Sequence, residues 1–318
     1  MSCWSTYLYF VVVSLCVLQC FCEYDPNAVT HTSKAELVKM IATGDHEMLI
    51  FLYTNFDECP DCKIKMPLFH EAVEYLDQIE EGQVKSYKLA VKFPEYGLTT
   101  FPQFVLFLGN HSFLYDRLDE FAPDTIVDWI EEAKQTPLPE LTDETFEHLT
   151  QSSTGATTGD WLVMFANSNR PECFKPFLPD LGTTAARLRR RKNVAIVDTS
   201  ENPITTKRFG MDENKHCIKI LFFHRTDLYH YESDNRTSAA LLSFVLKEYA
   251  NQEALVVPKP IDHQTAKLED TINAIKAMFS EHEIMSQMTF VSGVGFGLLA
   301  VFVAVLFILH KFRKRKLN

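Results

Sequence analysis

The first 22 residues of this 318-residue chain contain no charged side chain. Neither does the stretch Met288–Leu309, "MTFVSGVGFGLLAVFVAVLFIL", which also lacks proline. The nine residues after it, "HKFRKRKLN", hold no acid. No second CxxC, no HxxxH pair and no long acidic run occur anywhere. These absences exclude whole classes. Without a second ligand pair a closed zinc site is not expected. Without an acidic run, calcium buffering is a distant third reading. A net charge of −11 does not suit nucleic acid, because a polyanion needs a basic surface. No metal and no cofactor are expected.

The uncharged ends set the compartment. Residues 1–22 have an apolar core from about Tyr7 to Leu18, then polarity switches at "EYDPN". Cys20 and Cys22 occupy minus three and minus one of a cut before Glu23, a variant of the small-x-small rule. A cleaved secretory signal is expected, although the n-region has no Lys or Arg; an uncleaved N-terminal anchor is the alternative. Residues 288–309 are long enough to cross a bilayer core of about 30 Å as a helix. Basic residues are retained on the cytosolic side, so residues 310–318 form a cytosolic tail and the rest is translocated. The expected topology is single-pass type I, with one span through the lipid bilayer. Setting aside the five basic residues of the tail leaves 26 bases against 42 acids, a net of about −16. Mixed charge with 46% hydrophobic residues argues for a folded ectodomain. At roughly 265 residues it is the right length for two domains.

Of eight cysteines, four lie in residues 1–22. The remaining Cys59, Cys62, Cys173 and Cys217 are too few to be a disulfide scaffold, so packing must supply the core. Two similar units follow each other. In the first, "SKAELVKMIATG" is a helix with Ser33 and Glu36 as a capping box, Leu37, Val38 and Ile41 as its apolar face, and Gly44 as its stop. Then come the buried strand Met48–Thr54, "CPDC", and a helix with Ile64, Leu68, Ala72, Val73, Leu76 and Ile79 at helical spacing and a kink expected at Pro67. Strands "VKSYKLAV", "PQFVLFL" and "SFLYD" and a helix "PDTIVDWIEEAK" complete it. The second unit repeats the order, with a helix expected from Pro171 to about Arg191. A shift of 112 places Tyr53 on Phe165, Asn55 on Asn167, Lys63 on Lys175 and Pro67 on Pro179. The expected division is a signal at 1–22, domains at 23–137 and 138–250, a linker and juxtamembrane helix at 251–287, the span and the tail. The boundary falls near Gln135–Leu141, where prolines break the helical pattern.

A strand, a CxxC at a helix start, Lys63, a helical proline five residues past the second cysteine and "YGLTTFP" before the next strand together resemble a thioredoxin domain. With signal, span and basic tail, the chain is similar to membrane-anchored members of the protein disulfide isomerase family, over roughly Glu23–Tyr249. The second unit resembles that family's redox-inactive domains. The resemblance implies an α/β chain of two tandem thioredoxin-like domains, followed by a juxtamembrane amphipathic helix and one transmembrane helix. It implies protein disulfide oxidoreductase or isomerase activity in the endoplasmic reticulum, acting on cysteine-containing client proteins. It also implies a cis-proline facing the dithiol, matched by Pro102, with Phe101 pairing to substrate through its backbone.

The chemistry can be stated without the family. The thiolate is the reactive form, and a cysteine at a helix N-terminus is favoured as thiolate by free N–H groups and the helix dipole. Cys59 would attack a client disulfide and Cys62 would resolve the intermediate. A structural staple is weaker, since so short a loop constrains little chain entropy. Half of a zinc site is weaker still. Several positions depart from the family pattern. Glu58 replaces the usual tryptophan, Phe51 the buried acid, and no histidine lies between the cysteines. Glu58 and Asp61 disfavour a thiolate, so the pair is expected to be slower and more reducing.

In the second unit "PECF" stands where "CPDC" does, and Cys217 takes the place of the cis-proline. Those loops face each other in the family's fold, which makes a Cys173–Cys217 disulfide sterically plausible; two separate thiols are the alternative. Asn110 ("NHS") and Asn235 ("NRT") are glycosylation sequons. "RLRRRK" (Arg187–Lys192) reads as a solvated helix end, with a binding patch as alternative. Leu268, Ile272, Ile275 and Phe279 fit an amphipathic helix. Lys314 and Lys316, at minus five and minus three, resemble a retrieval signal, with a stop-transfer cluster as alternative. The rival function is a non-enzymatic thioredoxin-fold chaperone or adaptor that retains clients.

Overall fold

A computed structural model describes residues 29–44, 47–79, 83–117, 120–155, 158–211, 217–261 and 271–272. The expected signal, span and basic tail with Lys314 and Lys316 lie outside them, as does nearly all of the juxtamembrane helix. Among the described residues no helix is long and apolar enough to cross a membrane. Those up to Pro260 form one compact unit.

Among the described residues strand β1 (Val29–His31) comes first, followed by α1 (Lys34–Thr43) and β2 (Glu47–Leu52). Helix α2 (Pro60–Ile79), β3 (Val84–Leu89), a 3-10 turn at Pro94–Tyr96, β4 (Gln103–Leu108), β5 (His111–Leu114) and α3 (Pro123–Lys134) complete the first half. Its sheet has the order β1-β3-β2-β4-β5, with β1, β3 and β2 parallel and β4 and β5 antiparallel. The second half holds α4 (Thr145–Thr150), β6 (Trp161–Ala166), α5 (Pro171–Phe174), α6 (Leu178–Leu188), β7 (Asn193–Asp198), α7 (Pro203–Arg208), β8 (Ile218–His224), β9 (Asp227–Tyr231), α8 (Ser238–Leu246) and β10 (Leu255–Val256). Its sheet runs β10-β9-β8-β6-β7.

Local chemistry explains the elements that hold the site. Ser33 caps α1 by accepting the N–H of Glu36 at 3.2 Å, and Gly44 ends it at φ 65°, a left-handed conformation that glycine adopts without penalty. Strand β2 is buried on both faces from Met48 to Leu52, as its unbroken apolar run requires. Two apolar clusters sandwich this sheet. One joins Phe51, Phe69, Phe104, Trp129 and both cysteines of the CxxC. The other joins Leu37, Ile50, Phe93 and Phe107.

Several expectations are corrected. The buried face of α2 is Cys62, Phe69, Ala72, Val73 and Leu76, while Ile64 is 63% and Ile79 48% exposed. Phe69, one turn from Ala72 and Val73, fills the space over Phe51, with ring centroids 5.2 Å apart. Pro67 lies within α2, where the sequence places it. Val38, expected in the core, is 43% exposed. The single helix expected from Pro171 breaks at a 3-10 turn over Lys175–Phe177, where Pro176 has no N–H to donate. Part of the expected linker belongs to the second unit: Leu255–Val256 add a strand to its sheet, with Leu255 paired to Leu228, Val257 is buried, and the Pro258 carbonyl accepts from Arg208 at 2.8 Å.

The basic run is also not simply solvated. Arg187 makes two hydrogen bonds to Asp116, at 2.9 and 2.7 Å, Arg189 reaches Gln135 at 2.8 Å, and Lys192 meets Asp160 at 2.5 Å. Thr183 and Arg187 hold helix α6 along the outer edge of β5. The Thr183 hydroxyl accepts the Leu114 N–H at 2.8 Å and sits 2.9 Å from the Leu114 carbonyl. The β5 edge of the first sheet is thus covered.

Candidate functional site

The CxxC sits where β2 hands over to α2. Leu52 ends the strand, and Asn55 organises the turn. Its carbonyl accepts the N–H groups of Glu58 at 3.0 Å and Cys59 at 2.9 Å, and its side-chain Oδ1 accepts that of Asp57 at 3.2 Å. Such a turn delivers Cys59 to the position just before the first helical residue, Pro60. Proline is tolerated there because its missing N–H would have no helical partner.

Cys59 and Cys62 are joined as a disulfide with their Cα atoms 5.3 Å apart. The Cys62 N–H points at Cys59 Sγ at 3.1 Å and lies 3.0 Å from the Cys59 carbonyl. Both cysteines are buried, but Cys59 keeps 6% of its surface exposed and Cys62 none, so of the two residues only Cys59 reaches solvent. Asp57, Glu58, Asp61, Lys63 and Ile64 around it are exposed. A thiolate formed at Cys59 therefore receives a helix N–H and the positive end of a 20-residue helix, set against nearby carboxylates.

Behind the sulfurs the site is apolar. Phe51 is fully buried and stacks on Phe104 with centroids 4.4 Å apart and planes at 8°. It also meets Phe69 at 5.2 Å. A proton-accepting side chain is missing from this strand position, where the resemblance expects an acid. Beside the turn, the Tyr53 hydroxyl lies 3.4 Å from His31 Nδ1. Burial pushes the Tyr53 phenol up, and burial with the charge of Lys88 pushes the His31 imidazole down, so both are neutral at pH 7.

Pro102 is buried, Phe101 is half-buried against the cysteine-bearing cluster, and the peptide bond between them is cis. Gln103, the next residue, pairs with Leu52 at the end of β2. The second sheet repeats this register: Ile218 pairs with Ala166 at the end of β6, and Cys217 precedes Ile218 as Pro102 precedes Gln103. Cys217 is disulfide-bonded to Cys173, with Cα atoms 5.6 Å apart. The turn is repeated too, since the Asn169 N–H donates to Asn167 Oδ1 at 2.8 Å, 112 residues after Asp57 and Asn55.

Asn110 is exposed in the β4–β5 turn. Asn235 is exposed too, and its Oδ1 accepts the Thr237 N–H at 3.2 Å and hydroxyl at 2.9 Å. Among the described residues no group of three or more His, Cys, Asp or Glu is placed to hold a metal ion. Sequence reasoning passed over the structural role of Asn55. An Asn two residues before an Asp, directly after a buried strand, is a readable Asx-turn signal.

Over 189 residues the chain is 31% identical to a thioredoxin domain-containing protein of Theileria parva, an alignment covering 57% of this chain and 82% of that protein. The chain belongs to the thioredoxin domain-containing proteins. No family model matches it. Among solved structures this thioredoxin domain-containing protein is similar to ERdj5 form I, with a TM-score of 0.40 and 19% identity over 69% of this chain, which spans 28% of the ERdj5 chain. The zinc-bound form of human ERp44 gives a TM-score of 0.32 at 12% identity, over 75% of this chain and 63% of that one. The first two thioredoxin domains of Saccharomyces cerevisiae Eps1p give 0.28 at 11%, over 68% and 96%. At these scores the likenesses carry no statement of activity.

Proposed function

We propose that this thioredoxin domain-containing protein is a thiol–disulfide oxidoreductase for client proteins, working through Cys59 and Cys62. The observation that carries the reading is the asymmetry of the pair: a cysteine residue that keeps a trace of solvent exposure, placed before a helix, is bonded to a fully buried cysteine one turn along.

In the reductive direction the Cys59 thiolate attacks one sulfur of a client disulfide. The client S–S bond breaks, a Cys59–client disulfide forms, and one client thiolate leaves. Cys62, deprotonated, then attacks Cys59 Sγ. The mixed disulfide breaks, the second client thiolate leaves and takes up a proton, and the Cys59–Cys62 disulfide results. Two electrons pass from protein to client. Oxidation is the reverse, and isomerisation is attack followed by return. Phe101 and Pro102, on the neighbouring loop, are proposed to align the client backbone.

The proposed setting is the lumen of the endoplasmic reticulum. The chain would be held by residues 288–309 as a single-pass span, glycosylated at Asn235, and retrieved through Lys314 and Lys316. Uncharged ends, a basic tail and a second disulfide at Cys173–Cys217 support this. The second unit, without a CxxC, would space or bind clients. The adaptor reading is favoured by one observation, the aromatic Phe51 where a proton shuttle would speed exchange.

Cys62→Ala tests the choice. An oxidoreductase accumulates client mixed disulfides on Cys59, which vanish when Cys59 is also replaced. An adaptor retains clients equally with or without either cysteine, and that result would refute the proposal.

A further inference from the structure

Away from the dithiol, the two sheet units face each other across a cleft of about 840 Å³, a size that encloses ligands elsewhere. Val38 and Ile41 of α1 form one wall, and Phe174 and Ile196 of the second unit form the other. The walls are fixed relative to each other. Helix α6 is bonded along β5, and Gly97 approaches the Pro176 backbone so closely that a Cβ there would overlap the Pro176 carbonyl. A rigid, preformed apolar cleft loses little ordering entropy when it is filled.

Its charge is one-sided. The walls carry four carboxylates, Glu95, Glu140, Glu172 and Asp198, against one ammonium, Lys175. Glu95 is matched by Lys34 at 2.5 Å, and Asp198 is held by Ser168 and Ser200. Glu172 has Arg170 only at 3.8 Å, with both side chains well exposed, and exposed pairs of that kind contribute little. Lys175 lies over the Tyr96 ring at 5.9 Å. Glu140 is exposed on the rim.

We propose that this cleft docks an extended, apolar client segment carrying Lys or Arg, whose cation pairs with Glu140 while its apolar side chains cover Val38. The inference rests on the proposed function, since it names the client sequence class that the dithiol would meet. It assigns client selection to a surface built by both sheet units, so a chain with one redox pair needs its second unit to choose among clients.

The test uses the full-length protein with both disulfides intact and cysteine-free fluorescent peptides. One peptide alternates Leu and Val with Lys, a second replaces Lys by Glu, and a third replaces the apolar residues by Ser. Anisotropy titrations are expected to give binding of the first and at least about tenfold weaker binding of the other two. Val38→Glu is expected to weaken the first peptide by about tenfold or more. Glu140→Lys is expected to reverse the preference between the first two. Both variants should keep the circular dichroism of the parent. Equal affinity for all three peptides, or binding untouched by both substitutions, overturns the proposal. So does concentration-dependent dimerisation that Val38→Glu abolishes, which would assign the cleft to a second copy. Cys59→Ser should leave peptide binding unchanged, so failure here and failure of the redox reading are separable.

Discussion

The backbone carbonyl of Ser112 on β5 occupies the space that a side chain at Gly182 on α6 would need. Glycine lets the helix of one unit lie directly on the sheet edge of the other, with Thr183 hydrogen-bonded to Leu114 alongside. Gly182→Ala forces apart a helix and a strand that cannot both yield. Overpacking of this kind costs about 1–3 kcal/mol. Thermal unfolding should show the loss, and limited proteolysis should show faster cleavage in the Gln135–Leu141 connector. An unchanged midpoint with unchanged cleavage would show that the two units do not depend on this contact.

The second disulfide is expected to be structural. Cys173 and Cys217 are 44 residues apart, a separation for which chain-entropy arguments give a contribution of about 4 kcal/mol. Cys173→Ser with Cys217→Ser should lower the thermal midpoint of the second unit markedly and leave Cys59 exchange rates within about twofold, because no step of that exchange uses these sulfurs. Calorimetry and a fluorescent dithiol assay read the two effects separately.

Three carboxyls should make the fold acid-sensitive. For Asp160, burial acts upward, but hydrogen bonds from Lys192 and His224 hold it below its ordinary value. For Glu147 burial is likewise outweighed by Ser153 and Arg208, and for Asp198 by Ser168 and Ser200. A carboxyl depressed in the folded state stabilises above the unfolded value of about 4, and that contribution is lost as pH falls through the folded value. Asp160→Asn should therefore lose roughly 1–3 kcal/mol at pH 7 and show a flatter acid limb. Asp180 has the opposite sign. Burial holds it above its ordinary value despite hydrogen bonds from Ser238, so ionisation costs stability as pH rises past the unfolded value. Asp180→Asn, still able to accept the Ser238 N–H, should match or exceed the parent at pH 7. Thermal midpoints between pH 3 and 7 check both.

The dithiol should be more reducing than protein disulfide isomerase, whose potential is about −180 mV, because no histidine lies between the cysteines and acids flank them. Asp61→His should stabilise the thiolate form and raise the potential, where about 30 mV corresponds to 1.4 kcal/mol. Equilibration in glutathione buffers measures it. A parent potential at or above −180 mV would refute the electrostatic account.

Long, strongly patterned pieces were legible in the sequence. Pro123–Lys134 was readable as a helix to the residue, and Trp161–Ala166 as a strand, because proline, an amphipathic pattern or an unbroken apolar run marked their limits. Strand β1 was not, since three residues show no period and its existence depends on pairing with β3. The α2 face was misread because Ile64 and Ile79 fit the helical period, and period alone does not show that they stay exposed while Phe69 packs on Phe51. The CxxC itself was visible, whereas Asn55 acts through backbone groups that residue spacing alone does not display. Nor could spacing show that Arg187 reaches Asp116, because that bond depends on how two units dock. The cleft beside Val38 was hidden for the same reason.

The central claim is that Cys59, and not Cys62, is the sulfur that meets the outside world. Mild reduction of the native protein, a brief pulse of iodoacetamide and peptide mass mapping measure it directly. The account expects rapid labelling of Cys59 with Cys62 protected until the protein unfolds. Equal labelling of both sulfurs, or none at Cys59, would contradict it.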